Sequence, residues 1–470
     1  MVFSSPIFLF GFLPLVLLAS FACGRRGQNG LLLCASLLFY AWGEPIFVLA
    51  LLGSIGCNWA IGRSVESAQP NAFRILGLGV GLNLLLLTKL KYGQFLLESG
   101  ANLLGIENGW LVDSIDAWPT MPIGISFYTF QAISYLVDVY RGHCHAQRSL
   151  AGVGLYLSMF PQLIAGPIVR YSEIEAQLTN RKRDASDFNE GVARFVRGLS
   201  KKVLIADTLG IAADMAFEAG PGSLSVSMAW LGLICYGLQL YFDFSGYSDM
   251  AIGIGRMFGF RFPENFDFPY ESKSVRDFWR RWHMTLSRWF RDYLYIPLGG
   301  NRKSPFRVAL NLALVFVLCG FWHGASWSFV VWGLYHGAFL AIERLGFGAL
   351  LERLPSFLQR GYLLLAVFVG WILFRAESLE FAVVYAGALV GVASSDASTS
   401  FIIGLEVYLA LVFAILFSSR APLEVWSRWV ASSNSMIGVF VGRAAALALL
   451  AVCMAAVASS SYSPFLYFRF

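Results

Sequence analysis

An all-α, polytopic membrane protein is predicted by three observations. Charged residues make up only 14% of the 470 positions, while 57% are hydrophobic; soluble domains carry roughly 25% charged residues. The deficit is patterned, because residues 1–24, 219–242, 308–342 and 444–468 contain no Asp, Glu, Lys or Arg. Each stretch is continuously apolar and reaches the about 20 residues that a helix needs to cross a bilayer. A membrane barrel would alternate in polarity instead, which leaves helices.

The elements follow in chain order. Met1 to Cys23 has no basic leader and no small-residue cleavage pattern, so it reads as an uncleaved first helix. Arg25 and Arg26 follow, and the positive-inside tendency puts that loop in the cytoplasm. Further apolar segments fall at 31–62 (interrupted by Gly43-Glu44-Pro45), 73–92, 118–140, 150–168, 223–243 and 246–260. Beyond a basic region come 308–325, 327–342, 361–374, 381–395, 401–418 and 436–459. Several are too short to span alone and read as re-entrant or protein-buried pieces. The expectation is about ten to twelve spans plus re-entrant and interfacial helices, in a single membrane domain over residues 1–470. The polar stretches 170–202 and 261–307 join membrane segments and form no soluble domain.

The second polar stretch is strongly basic. Between Glu271 and Arg307 lie nine Lys or Arg against three acids, which places it on the cytoplasmic side. Taken as one helix from Arg276 to Tyr293, it puts Arg276, Arg280, His283, Ser287 and Arg291 on a stripe about 80° wide. Aromatic residues, Trp279 among them, occupy another face. The plain reading is an interfacial amphipathic helix lying on anionic lipid. The sharper one is a grip on an anionic cytoplasmic donor, and the two are compatible.

Common catalytic motifs are missing: there is no G-x-x-x-x-G-K-[ST], H-E-x-x-H or G-x-S-x-G. The seven cysteines form no C-x-x-C pair, and His323 and His336 would sit about 140° apart on one helix, so no metal is expected. The net charge of +6 suits basic cytoplasmic loops and does not call for nucleic acid. The partner implied directly by composition is membrane lipid.

Histidine is scarce, with five residues, and two of them interrupt uncharged membrane sequence. A polar side chain at such a place faces a cavity or a partner. His336 reads equally as a satisfied structural residue. His323 stands out because glycines flank it and a helix break is expected at Gly324–Ser326; small residues there let a substrate or another backbone come close. A neutral imidazole can take a proton from a hydroxyl in acyl transfer. The alternative is an acyl-enzyme on Ser326 or Cys319, and the residues leave both routes open. Asp243 and Asp249, bounded by apolar runs, read as supports or helix caps; a new helix starting there would use Asp243 or Ser245.

Three motifs carry a resemblance: Phe278-Trp279-Arg280-Arg281-Trp282-His283, Asp292-Tyr293-Leu294-Tyr295-Ile296-Pro297-Leu298-Gly299-Gly300-Asn301, and Leu318-Cys319-Gly320-Phe321-Trp322-His323-Gly324. Together they resemble the core of the membrane-bound O-acyltransferase family. Pro122–Tyr128, Leu163–Pro167, Tyr241–Gly253 and the ends Met1–Ser5 and Ser463–Phe468 are similar to its members that O-acetylate bacterial exopolysaccharide. The resemblance covers essentially the whole chain. It implies a helical fold with a central tunnel, His323 as the catalytic histidine and His283 in a supporting catalytic place, with Trp322 beside them. It also implies acetyl-CoA as donor substrate with no bound cofactor, its phosphates suiting Arg276, Arg280, Ser287 and Arg291 beside Trp279. The implied setting is the bacterial inner membrane, and the implied partner a periplasmic acetyltransferase that modifies the polymer. Alginate and cellulose are both open as that polymer. A transporter or scaffold of an export complex, or acetylation of peptidoglycan or lipid, are the competing readings.

Overall fold

The computed structural model describes residues 1–24, 27–68, 70–105, 121–219, 223–392, 402–432, 435–459 and 466. Arg25 and Arg26 of the expected cytoplasmic loop, and most of the C-terminal motif at 463–468, lie outside the described residues. Regular structure among the described residues is helical, with no strand. Five helices are long and apolar enough to cross a membrane: Val48–Ser67, Ala72–Leu104, Pro305–His323, Ser356–Arg375 and Phe440–Ser459. Leu405–Phe417 and Ala421–Trp429, bent by 73°, make a sixth if they form one span. Other expected spans fold as shorter helices, among them Gln28–Gly43 and Leu379–Leu389. The chain is therefore a multi-pass helical membrane protein. Outward side chains such as Leu49, Phe73, Leu85 and Leu447 are exposed, as a lipid-facing surface requires.

The described chain divides into two compact units, Met1–Val192 with Ala251–Pro263, and Ala193–Met250 with Glu264–Phe470. In the first, Gln28–Gly43 stops where Pro45 disfavours helix for the preceding residue, and Val48–Ser67 resumes. Phe3, Phe8, Phe12, Phe39 and Phe160 pack into one aromatic cluster with edge and tilted contacts. Buried Asn58 and Asn83 exchange amide hydrogen bonds of 3.1 and 2.8 Å between two apolar helices, a polar tie where lipid offers no alternative partner. Gly124 has φ +80°, and a Cβ there would sit 2.8 Å from the Leu163 carbonyl oxygen. Only glycine fits both demands.

The second unit holds the histidines singled out by sequence. Six helices organise it: α1 (Val226–Met257, whose last residues belong to the first unit), α2 (Val275–Arg281), α3 (Met284–Phe290), α4 (Pro305–His323), α5 (Trp327–Ile342) and α6 (Ser356–Arg375). Helices α4 and α5 form a hairpin that breaks at Gly324–Ser326, where the glycine-rich sequence predicts a break. A Cβ on Gly320 would collide with the Phe329 carbonyl oxygen, and one on Gly333 with that of Phe316. Gly320 and Gly333 thus let the two helix backbones of the hairpin come close.

Two expectations fail locally. The sequence suggests separate segments at 223–243 and 246–260, with Asp243 or Ser245 capping a new helix; instead α1 runs through both without interruption. Asp243 is tolerated in its interior because Lys202 Nζ lies 2.9 Å away and the Leu466 N–H donates to it at 2.8 Å. Nor is Arg276–Tyr293 one helix. It breaks at Trp282–His283, where His283 takes φ +43°. The 100° periodicity therefore does not carry across, and the basic stripe is split between α2 and the π-helical segment Arg291–Tyr295 that continues from α3.

Candidate active site in the second unit

The broken segment is held from a distance. The first N–H groups of α2, from Val275 and Arg276, donate to the buried Glu343 carboxylate at 2.7 and 3.0 Å, and Tyr362 Oη donates to it at 3.1 Å. Ser274 Oγ accepts from Asp277 N at 3.1 Å. Helix α3 is started by Asn265, whose backbone carbonyl accepts from Met284 N at 2.9 Å. The Asn265 side-chain oxygen accepts from Thr285 N at 3.3 Å and from Thr285 Oγ1 at 2.9 Å. Ser287 Oγ donates back across the break to the Trp279 carbonyl at 3.0 Å. Two orphan helix starts are thus satisfied by residues far along the chain.

The break turns His283 inward, where it is 1% exposed. Its Nδ1 lies 3.2 Å from Asn265 Oδ1, and its ring packs edge-on to Phe244 with centroids 4.7 Å apart. Burial pushes its pKa down to about 3, so the ring is neutral at physiological pH. Trp322 joins it to His323, with ring centroids 6.0 Å from His283 and 4.9 Å from His323. His323 is the last residue of α4 and is 4% exposed. It lies edge-on to Trp332 at 5.3 Å and to Phe374 at 5.1 Å. Trp332 in turn contacts His336 at 5.0 Å, and Trp279 closes the series against both, at 5.5 Å from Trp332 and 5.0 Å from His336.

Three buried histidines are therefore strung along one aromatic wall. His323 and His336 sit on separate helices of the hairpin and meet the same indole, a relation that spacing on a single helix does not describe. Among the described residues, His283 Nε2, both ring nitrogens of His336 and the indole N–H groups of Trp279 and Trp332 have no hydrogen-bond partner. Buried polar atoms are nearly always satisfied, so this concentration singles out the wall as the candidate site.

The expected donor residues separate. Arg276 lines an open cavity of about 610 Å³ with Asn301, Lys303, Glu343, Arg344 and Glu352. Arg280 is exposed and outside that lining, Ser287 is spent on the Trp279 carbonyl, and Arg291 pairs with the adjacent Asp292 at 2.6 Å. Trp279 is a wall of the histidine series. Asp243 and Asp249 serve ion networks, the second with Arg194 at 2.8 Å and Lys201 at 2.7 Å. Sequence reasoning missed Asn265, Glu343, Trp332, Lys303 and Arg344. Trp332, four residues before His336 on the same face of α5, carried a signal, and Lys303 belongs to the basic stretch already singled out; the others carried none.

Residues 147–381 match the membrane-bound O-acyltransferase family, and the chain belongs to it. The matched region takes in Asn265 and all three buried histidines. This is an O-acyltransferase by family. A probable alginate O-acetylase of Pseudomonas putida is 43% identical over the whole length of both chains. The peptidoglycan O-acetyltransferase of Helicobacter pylori is 38% identical over 83% of this chain and 80% of its own. The teichoic acid D-alanyltransferase of Bacillus subtilis is 30% identical over 46% of this chain and 58% of its own.

Proposed function

We propose that this enzyme draws acetyl groups from acetyl-CoA at the cytoplasmic face of a bacterial inner membrane and delivers them for O-acetylation of an exopolysaccharide. The observation that carries the reading is the aromatic wall, which holds His323 beside a neutral His283 and unpartnered indole N–H groups out of water. His323 is the general base. It removes the proton of the accepting hydroxyl as that oxygen attacks the thioester carbonyl; the C–S bond breaks, and the CoA thiolate leaves and takes up a proton. The indole N–H groups suit the oxyanion of that step. The cavity bearing Arg276, Lys303 and Arg344 suits the donor's phosphates. Relatives aligned over the full chain are named for alginate, which makes alginate the first polymer to examine and cellulose the second. A periplasmic acetyltransferase protein is the partner that carries the group to the glycan.

A second reading, peptidoglycan as the final acceptor, is favoured by the Helicobacter pylori relative. The test is the acetyl content of secreted polysaccharide and of peptidoglycan from cells carrying the native chain or His323→Ala at equal membrane levels. Loss of a general base costs about 10²–10⁴-fold in rate, so acetyl should vanish from one polymer. The polymer that loses it identifies the acceptor. Acetylation at native levels in the variant refutes the role of His323.

A further inference from the structure

Asn265 does more than start α3, because its contacts dictate where the proton of His283 sits. The Thr285 backbone N–H can only donate, and it points at the Asn265 side-chain oxygen. That fixes the amide's orientation, with its NH2 group donating to Ser248 Oγ at 3.0 Å. The same oxygen lies 3.2 Å from His283 Nδ1 and can only accept. The ring proton therefore belongs on Nδ1, and Nε2 is a bare lone pair. Nε2 is also the nitrogen with no partner among the described residues. The backbone supports the arrangement: a histidine at φ +43° is strained, a conformation kept only where its surroundings over-determine it.

We infer that Asn265 is a positioning residue that holds His283 in its Nδ1–H form, so that Nε2 meets the substrate as a hydrogen-bond acceptor. In the acetyl transfer proposed above, on which this inference rests, Nε2 receives a hydrogen bond from the substrate hydroxyl or the CoA thiol. It cannot donate to the acyl oxyanion, which leaves that task to other N–H groups. The acids of the neighbouring segments are committed elsewhere: Glu264 to Arg194, Asp267 to Arg420, Asp277 to Arg281, Asp292 to Arg291, Asp249 to Arg194 and Lys201, and Asp243 to Lys202. Phe244 and Trp322, which pack against the ring, are uncharged.

The test uses the full chain in lipid nanodiscs, labelled with ¹⁵N-histidine, with the His283 signal assigned by its loss in His283→Gln. The native protein should show the proton on Nδ1. Asn265→Leu should mix the tautomers and lower kcat at least tenfold with KM for acetyl-CoA unchanged. Asn265→Asp keeps an acceptor, and the Ser248 hydroxyl can turn to donate to it. That variant should restore Nδ1–H and much of kcat, and raise the pKa of His283, read from its ¹⁵N shifts, by a unit or more, since a carboxylate favours the imidazolium. A native proton on Nε2 overturns the inference. So does an equal loss of kcat in both variants with an unmoved His283 pKa. The spectrum decides on Asn265 even if no acetyl transfer is found, an outcome that would sink the proposed reaction instead.

Discussion

The buried pair of Lys202 and Asp243 allows a stability argument to be worked from the structure. The two residues are 3% and 1% exposed, and their charged atoms are 2.9 Å apart. Asp207 lies 2.6 Å from the same Lys202 Nζ but is partly open to solvent. Asp243→Leu leaves the ammonium buried beside Asp207 alone of these two acids and strips the Leu466 N–H of its acceptor. Lys202→Met leaves a buried carboxylate with that N–H. Breaking a buried pair from one side costs about 3–5 kcal/mol, whereas replacing both partners with apolar groups is often neutral or stabilising. Asp207 should soften the Asp243→Leu loss toward roughly 3 kcal/mol, and Lys202→Met should fall near the top of the range. The double variant should lie within about 1 kcal/mol of native, a coupling of several kcal/mol. The assay is reversible unfolding in mixed micelles, followed by tryptophan fluorescence, over the complete cycle. Additive single losses would refute the reasoning, because two independent residues do not rescue one another.

Reversing charge in the cavity by Arg276→Glu with Lys303→Glu should raise KM for acetyl-CoA at least tenfold and leave kcat nearly unchanged. Each charge-assisted hydrogen bond lost is worth about 1.5–3 kcal/mol; a KM that stays flat and keeps its salt dependence would put the donor elsewhere. The depressed pKa of His283 predicts stability that is full above pH 6.5 and falls as pH drops toward 3, because the unfolded chain binds a proton that the folded site refuses. At pH 5 the loss is about 2 kcal/mol. His283→Gln should flatten the fall between pH 7 and 5 in the same unfolding assay, and identical slopes would show that another group is responsible.

Much of the fold is legible because it depends on local quantities. Uncharged runs about 20 residues long must be helices in lipid, and the structure has them at Pro305–His323 and Phe440–Ser459. The Gly43-Glu44-Pro45 interruption and the break at Gly324–Ser326 were readable for the same reason: proline and glycine act on their own backbone. His323 was readable as a candidate because an ionisable residue in such a run needs a reason to be there.

The site's arrangement was decided by groups remote in sequence. Periodicity runs α2 and α3 together, since their starts are satisfied by Glu343 and Asn265, 68 and 18 residues away from Val275 and His283. A cap supplied from that distance leaves no mark on the local pattern. Asp243 looked like a helix start because a charge in an apolar run is costly, and Lys202, which offsets it, belongs to another element. Composition and spacing by themselves determined that this chain is a helical membrane protein with a histidine worth explaining, because chain-local solvation dictates both. Only tertiary packing could put His283, His323 and His336 on one aromatic wall and turn His283 through a left-handed backbone, because both depend on which distant groups meet.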